Sequence, residues 1–269
     1  MRVRVGWKLL LPELMFLAML SGCPAPALRV PPAPAPQPPP SPAPTPHVGT
    51  PYEIVPQASL LTILVYRGGA LASAGHNHVI ASHDLSGTIY VPAAVLDSSF
   101  EVRVPVATLT VDEAALRAQQ PAAEFPADVS ESAKDGTRRN MLGETLLDAQ
   151  HNPEIVLRSL RLTATTAADS GTVQAQVQSS VRGQLRTFTV PVRYRLAADG
   201  ALEASGEFPL RQSELGLTPF SAMLGALQVQ DEMRISFRIV AHAAAPKSGA
   251  VRDAVTRLRG GYKPAFDDS

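Results

Sequence analysis

Apolar and polar residues alternate one by one along most of this chain, and the alternation restricts the folds it can adopt. The clearest run is TFTVPVRYRL at residues 187–196, where every second side chain is apolar. Successive side chains of a β-strand point to opposite faces, so such a run predicts a strand with one buried face. The pattern recurs at residues 99–106, 172–181, 202–210 and 232–239. The chain is therefore predicted to be all-β.

Short turn sequences between these runs indicate how the strands connect. Arg182-Gly183-Gln184 and Asp199-Gly200 each link two runs, and Asp169-Ser170-Gly171 precedes another. Such links join antiparallel neighbours, because parallel strands need a long crossover. About eight one-faced strands can hide their apolar faces in a closed barrel or in a sandwich. Long strands and medium-sized inward residues favour the barrel, with room for one small ligand.

Two segments depart from simple alternation. In residues 155–162 the apolar positions change from odd to even near Arg158, and a β-bulge there would keep both halves facing inward. Residues 107–153 contain helical spacing at 112–117 and 138–146. Between two strands of a barrel, this short helical insertion is predicted to cap one mouth. A surface excursion without a role is the alternative.

The first 22 residues predict a lipoprotein signal peptide. Basic residues precede the apolar run at 14–20, which is too short to span a bilayer. Leu20-Ser21-Gly22-Cys23 resembles a bacterial lipobox, which implies cleavage before Cys23 and its acylation. Several acyl chains would anchor the protein stably in a membrane. The residue after the cysteine is Pro24, which resembles the sorting signal of lipoproteins that are attached to the outer membrane and face the periplasm. An ordinary N-terminus with a chance cysteine is the alternative.

Proline is concentrated after the lipobox. It occupies nearly every second position of residues 24–51, which favours extended polyproline II at about 3.1 Å per residue. We interpret residues 23–51 as the lipidated cysteine and a spacer, although a binding motif for a proline-recognition module is the alternative. The folded domain is predicted to cover residues 52–243. Residues 244–269, with one weak amphipathic turn, are predicted to be a flexible tail.

Few residues suggest chemistry. His76 and His78 would share one face of a strand, which is a usable spacing for metal ligands, but the only carboxylate near them in the sequence is Asp84. We therefore expect structural histidines at a barrel mouth and no metal. The adjacent Asp112 and Glu113 are expected to be solvated turn charges. The sequence contains no serine-nucleophile, dinucleotide or phosphate-loop motif, so a protein without catalytic activity or cofactor is expected.

Charge and cysteine content exclude further classes of protein. Lys+Arg and Asp+Glu number 24 each, and the basic residues do not cluster, so a nucleic-acid partner is not expected. The single cysteine excludes a disulfide framework and any Cys-built metal site.

The order of several short motifs resembles the YceI-like family of bacterial periplasmic proteins, over about residues 52–242. The resemblance implies an extended, lipocalin-like antiparallel β-barrel with a hydrophobic lumen. It also implies binding of long apolar molecules such as polyisoprenoids or fatty-acid derivatives. The motifs are Tyr52-Glu53-Ile54, Gly75-His76-Asn77-His78, Leu85-Ser86-Gly87-Thr88-Ile89, Arg139-Asn140-Met141-Leu142, Leu147-Asp148-Ala149, Asn152-Pro153-Glu154-Ile155, Arg158-Ser159, Glu214-Leu215-Gly216-Leu217 and Gln230-Asp231-Glu232-Met233-Arg234-Ile235.

Three functions remain open from the sequence. The favoured one is a membrane-anchored periplasmic carrier that binds an isoprenoid or other long-chain lipid in the barrel lumen, because the inward face carries no charge. The alternatives are a metal- or haem-binding protein using His76 and His78, and a structural or stress-related barrel filled by its own side chains. Polar residues expected at the mouth are His76, His78 and Asn140. Residues expected to contact the ligand are Val102, Val104, Met141, Val177, Phe188, Val190, Val192, Tyr194, Phe208, Ile235 and Phe237.

Overall fold

The computed structural model describes residues 47–165 and 171–245. The predicted signal peptide, Cys23, most of the spacer, the turn residues Asp169 and Ser170, and the tail from residue 246 lie outside the described residues. The strands are β1 (Thr50–Ile54), β2 (Leu60–Gly68), β3 (His78–Ser82), β4 (Ser86–Val91), β5 (Ser99–Pro105), β6 (Thr110–Val111), β7 (Glu154–Ala164), β8 (Thr172–Val181), β9 (Gln184–Leu196), β10 (Leu202–Arg211), β11 (Ser221–Ala222) and β12 (Leu227–Ala243). The helices are α1 (Ala114–Arg117) and α2 (Glu131–Leu142).

Eight of these strands form a closed antiparallel ring. Their order is β1-β4-β5-β7-β8-β9-β10-β12, and β12 closes the ring by pairing with β1. The 17 residues of β12 are enough to pair with β2 as well, and β3 and β6 extend the sheet from there. The predicted all-β, antiparallel barrel of eight strands is therefore confirmed. β1 begins at Thr50, inside the segment interpreted as a spacer.

The predicted turns and bulge determine which side chains face the interior. Arg182 and Gly183 have φ values of 50° and 69° between β8 and β9, as a tight hairpin with matching twist requires. Between β7 and β8 the register shifts at Ser159/Arg161, which confirms the predicted bulge. Because of this shift, Leu157 and Leu162 both face the barrel interior.

Helix α2 closes one end of the barrel. The hydroxyl of Ser130 accepts the backbone N–H of Ala133 and caps the first turn of the helix. The buried face of α2 carries Met141, which packs with Val106 and Leu109 in the core cluster at this end. The insertion between β5 and β7 thus caps one end of the barrel, as predicted. We refer to this end as the closed end.

No helix in residues 47–165 and 171–245 is both long enough and apolar enough to cross a membrane.

Candidate functional site

The ring encloses a cavity of about 410 Å³. This volume lies in the range of small-molecule sites, which is roughly 300–1,000 Å³. The wall is formed by the inward side chains of all eight ring strands together with β2. Whether these side chains contact a ligand stays a prediction. Ten of the residues expected at the ligand lie on the wall: Val102, Val104, Val177, Phe188, Val190, Val192, Tyr194, Phe208, Ile235 and Phe237.

Met141 does not lie on the cavity wall, contrary to expectation. It is buried on the inner face of α2, in the cluster that fills the closed end with Leu109 and Leu147. The helical spacing around Met141 correctly indicated a buried face. It gave no information on whether that face meets the cavity or the core beneath the cap.

The cavity opens at the end opposite α2. Wall residues at the closed end, such as Leu85, Val104 and Val181, are fully buried. At the other end Leu196 lines the cavity and is 64% exposed. Val91 also lies on the wall there, and it pairs with Thr50 at the start of β1. The first residues that the structure describes therefore lie at the rim of the open end.

The wall offers very little polarity. Its lining residues include no charged side chain among the described residues, and its polar members are Tyr52, Tyr194 and Ser98. The hydroxyl of Ser98 is buried and has no hydrogen-bond partner among the described residues. Ser98 lies near the open end, just before its neighbour Ser99 pairs with Tyr90. An apolar molecule fits this cavity, whereas a buried charge would find no compensating partner.

Sequence reasoning missed the contribution of β2 to the wall. Leu61 and Ile63 line the cavity, while Leu64 on the other face is buried beneath a second cluster with Leu116 and Phe125. Both faces of β2 are thus covered, so its sequence is apolar on both faces apart from Thr62 and has no alternation to detect. The mostly apolar run at residues 60–66 was the available signal.

His76, His78 and Asn140 do not lie at the open mouth. His76 and Asn140 are exposed, and none of the three lines the cavity. His78 lies on β3 beneath α2, where its Nε2 is 3.2 Å from the hydroxyl of Thr137. The sequence analysis expected these residues at a mouth of the barrel, and the structure places them at the end that α2 covers. Whether they have a binding role there stays a prediction.

Asp112 is buried, contrary to the expectation of a solvated turn charge. Its Oδ2 lies 2.6 Å from Nδ1 of His78, and its Oδ1 accepts from the backbone N–H of Val79 at 2.9 Å and from Arg117 at 2.7 Å. Asp112 has a φ of 54°, which turns its side chain inward. The sequence pattern could not reveal this left-handed residue. Glu113, in contrast, pairs with His83 in a partly exposed contact.

Opposing influences act on the pKa of Asp112. Burial is the largest influence and raises the pKa. The hydrogen bonds from His78 and Val79 and the charges of His78 and Arg117 together outweigh it, so the pKa lies below its ordinary value. The carboxylate therefore remains ionised in the core and compensates the buried Arg117. This cluster ties β3, the segment after β6, and α1 together.

The same cluster bears on the metal hypothesis. One nitrogen of His78 faces Asp112 and the other faces Thr137. Within the described parts of the chain, no group of three or more His, Cys, Asp or Glu side chains is arranged to hold a metal ion. The centroids of the His76 and His78 rings are 6.1 Å apart and the rings are tilted.

Comparison with solved structures finds similar chains of very different sequence. BcnA of Burkholderia cenocepacia is 16% identical, covers 70% of this chain and 99% of its own, and gives a TM-score of 0.50. A polyisoprenoid binding domain from Saccharophagus degradans, implicated in plant cell wall breakdown, is 10% identical over 72% of this chain and 98% of its own, with a TM-score of 0.47. The Campylobacter jejuni YCEI protein is 10% identical over 60% of this chain and 82% of its own, with a TM-score of 0.40.

No curated protein matches the sequence. The sequence profile of the YceI-like domain, in contrast, matches residues 52–241, which span the strands of the ring and its cap. The profile and the closed eight-stranded ring agree on the extent of the domain. The chain therefore belongs to the YceI-like domain family.

Proposed function

We propose that the protein is a carrier without catalytic activity that binds an isoprenoid or another long-chain lipid in the barrel cavity. The observation that carries the proposal is the enclosed cavity of about 410 Å³, whose lining includes no charged residue. Each methylene group transferred from water into such a site contributes roughly 0.8 kcal/mol. A chain molecule therefore gains affinity in proportion to the length it buries.

The polar end of the ligand is placed at the open mouth in this proposal. Ser98 provides there a buried hydroxyl that has no partner within the described chain, and Tyr194 also lines the wall. The closed end has no such group on the wall, since Leu85, Val104 and Val181 form it. An amphiphile would thus enter with its chain towards α2 and keep its head group near water.

The proposal places the protein in the cell envelope, on the outer membrane and facing the periplasm, attached through acylated Cys23. The lipobox-like Leu20–Cys23 sequence and the proline-rich spacer support this location. The ring of His47 stacks on Tyr90 at 4.2 Å, so the chain joins the barrel beside the open mouth. A tether attached there would hold the mouth within several tens of ångströms of the membrane that supplies or receives the lipid.

The alternatives account less well for the geometry. A barrel filled by its own side chains would leave no continuous cavity. A metal or haem protein using His76 and His78 would need ligands beyond the hydrogen-bonded His78 and the exposed His76. The carrier is therefore the function that the site supports best.

Native extraction provides the test. The full chain is purified from its membrane without a delipidating step, and molecules bound to the barrel are identified by mass spectrometry after solvent extraction. We expect a long-chain apolar lipid at near-stoichiometric amount in addition to the acyl groups on Cys23. Recovery of the acyl groups alone would contradict the carrier function.

A further inference from the structure

The ladder between β9 and β10 stops half-way along the barrel. β9 runs over Gln184–Leu196 and β10 over Leu202–Arg211, but the two pair only where residues 193–196 face residues 202–205. On its other side, β9 stays paired with β8 down to Gln184. β10 likewise pairs with β12 along its full length. We call the facing but unpaired stretches, residues 184–192 and 206–211, the seam.

Residue types on both strands explain why the ladder stops. Pro191 on β9 and Pro209 on β10 both lie in the seam, and neither has an N–H to donate. Gly206 lies where a Cβ atom would come within 2.3 Å of the carbonyl oxygen of Pro191. The two backbones cross closely at this point, which forms the upper limit of the seam.

The lower limit of the seam is a turn packed against β9. Gly216 follows the short turn Gln212–Leu215, and the side chain of Gln184 occupies the space that a Cβ atom of Gly216 would need. Arg186 donates to the same Gln184 side chain at 2.8 Å. The seam is therefore a slot with two defined ends in the wall of the barrel.

Two aromatic side chains close the slot from inside. Phe188 on β9 and Phe208 on β10 both line the cavity, and their rings stack with centroids 6.3 Å apart. Both side chains are only partly covered by neighbouring atoms, as is expected on the wall of a cavity. A contact between side chains opens by rotamer change, which takes picoseconds to nanoseconds at exposed positions, whereas a β-ladder must break backbone hydrogen bonds. Phe188 and Phe208 are thus arranged as a gate.

We propose that the seam is a side portal, through which the apolar chain of a lipid passes into or out of the cavity, with Phe188 and Phe208 as its gate. Only the identity of the cargo rests on the proposed function. The slot admits a slender, flexible chain and excludes a bulky ring system. A chain longer than the cavity can extend through the seam instead of folding back on itself.

A cysteine inside the cavity measures access directly. The full chain carrying C23S and Val177→Cys has its one thiol on the cavity wall, and a maleimide bearing a dodecyl chain is the probe. We expect Phe208→Ala to raise the labelling rate about tenfold or more, since association rates among variants of one site span one to three decades. The comparison variant is Phe100→Ala, which removes the same side chain from the wall near the open end and should raise the rate several-fold less than Phe208→Ala does.

The outcomes distinguish three ways in which the probe can reach the thiol: through the seam, through the open mouth, or after unfolding. Acceleration by Phe100→Ala alone would mean access through the mouth, and equal acceleration by both variants would mean a loosened barrel; either result overturns the portal. Val106→Cys, which is buried beneath the cap, reports unfolding. If Phe208→Ala also accelerates labelling of Val106→Cys, labelling of Val177→Cys is measured again with Phe208→Leu. A Phe208→Leu variant that is labelled no faster than the chain with Phe208 intact overturns the portal. Because the probe is a reagent, the absence of extracted lipid would contradict the proposed function without affecting this test.

Discussion

Val192 and Arg193 are neighbours in the chain but lie on opposite faces of β9. Val192 forms part of the cavity wall, whereas Arg193 is exposed on the outside of the barrel. A single peptide unit thus separates the side chain that faces the proposed ligand from the one that faces solvent. This arrangement provides a matched pair of substitutions for testing whether the cavity holds a chain molecule.

We expect Val192→Trp to weaken binding of a fluorescent long-chain fatty acid at least tenfold, because the indole ring occupies ligand space. Overpacking a full core costs about 1–3 kcal/mol, and filling an existing cavity should cost less. Arg193→Trp, the control, should bind as the unmodified chain does. Titration of the fatty acid and denaturant unfolding measure both effects. Equal binding by the two variants, or strong unfolding of Val192→Trp alone, would indicate a filled barrel.

Asp112→Asn should lower the free energy of unfolding by about 3–5 kcal/mol, because it leaves the buried guanidinium of Arg117 without its counter-charge. Glu113→Gln, which affects the partly exposed pair with His83 and leaves an amide oxygen to accept from Thr110, should cost no more than about 1 kcal/mol. Urea denaturation of both variants makes the comparison. Similar costs for the two would contradict the structural role assigned to Asp112.

The contribution of Asp112 to stability should depend on pH in the acid range. Its pKa in the folded protein lies below the ordinary value of 3.8, so folding favours the ionised carboxylate. The stabilisation is fully present above the unfolded-state pKa and is lost as the pH falls through the lower folded-state value. The difference in unfolding free energy between the unmodified chain and Asp112→Asn should therefore shrink below about pH 4. A difference that stays constant down to pH 2 would contradict the lowered pKa.

His78→Ala should destabilise the protein by roughly 1.5–3 kcal/mol, since it removes a hydrogen bond to a buried carboxylate. His76→Ala should be nearly neutral because that side chain is exposed. Metal analysis of the natively purified chain should find no stoichiometric zinc, iron or copper. A bound metal that is lost when both histidines are replaced would instead support the metal-binding alternative.

Cys23→Ser should abolish incorporation of radioactive palmitate and leave the precursor unprocessed by the lipoprotein pathway. The reason is chemical, since Cys23 is the only thiol in the sequence and acylation by this pathway needs one. Cells expressing the unmodified chain provide the positive control. Palmitate labelling of the serine variant would exclude the anchor proposed here.

Local patterns in the sequence determined the faces of most strands. Alternation requires only that each strand has a dry and a wet side, so Val102, Val177 and Ile235 could be assigned to the interior without knowledge of their neighbours. The bulge near Arg158 and the hairpin at Arg182-Gly183 are local as well, because each is defined by a few consecutive residues. The family resemblance also rested on such short segments and their order.

Tertiary structure alone decided the features that depend on residues far apart in the chain. Asp112 contacts His78, which lies 34 positions earlier in the chain. Because Asp112 has a left-handed backbone, the alternation of apolar and polar residues could not predict that its side chain is buried. Met141 has the spacing of a buried residue, but only the placement of α2 determines that it fills the closed end and not the cavity wall. The seam likewise exists because the pairing of β9 with β10 stops beyond Arg193 and Ser205. Alternation records whether a side chain leaves water, and only the packed chain determines which side chains it meets.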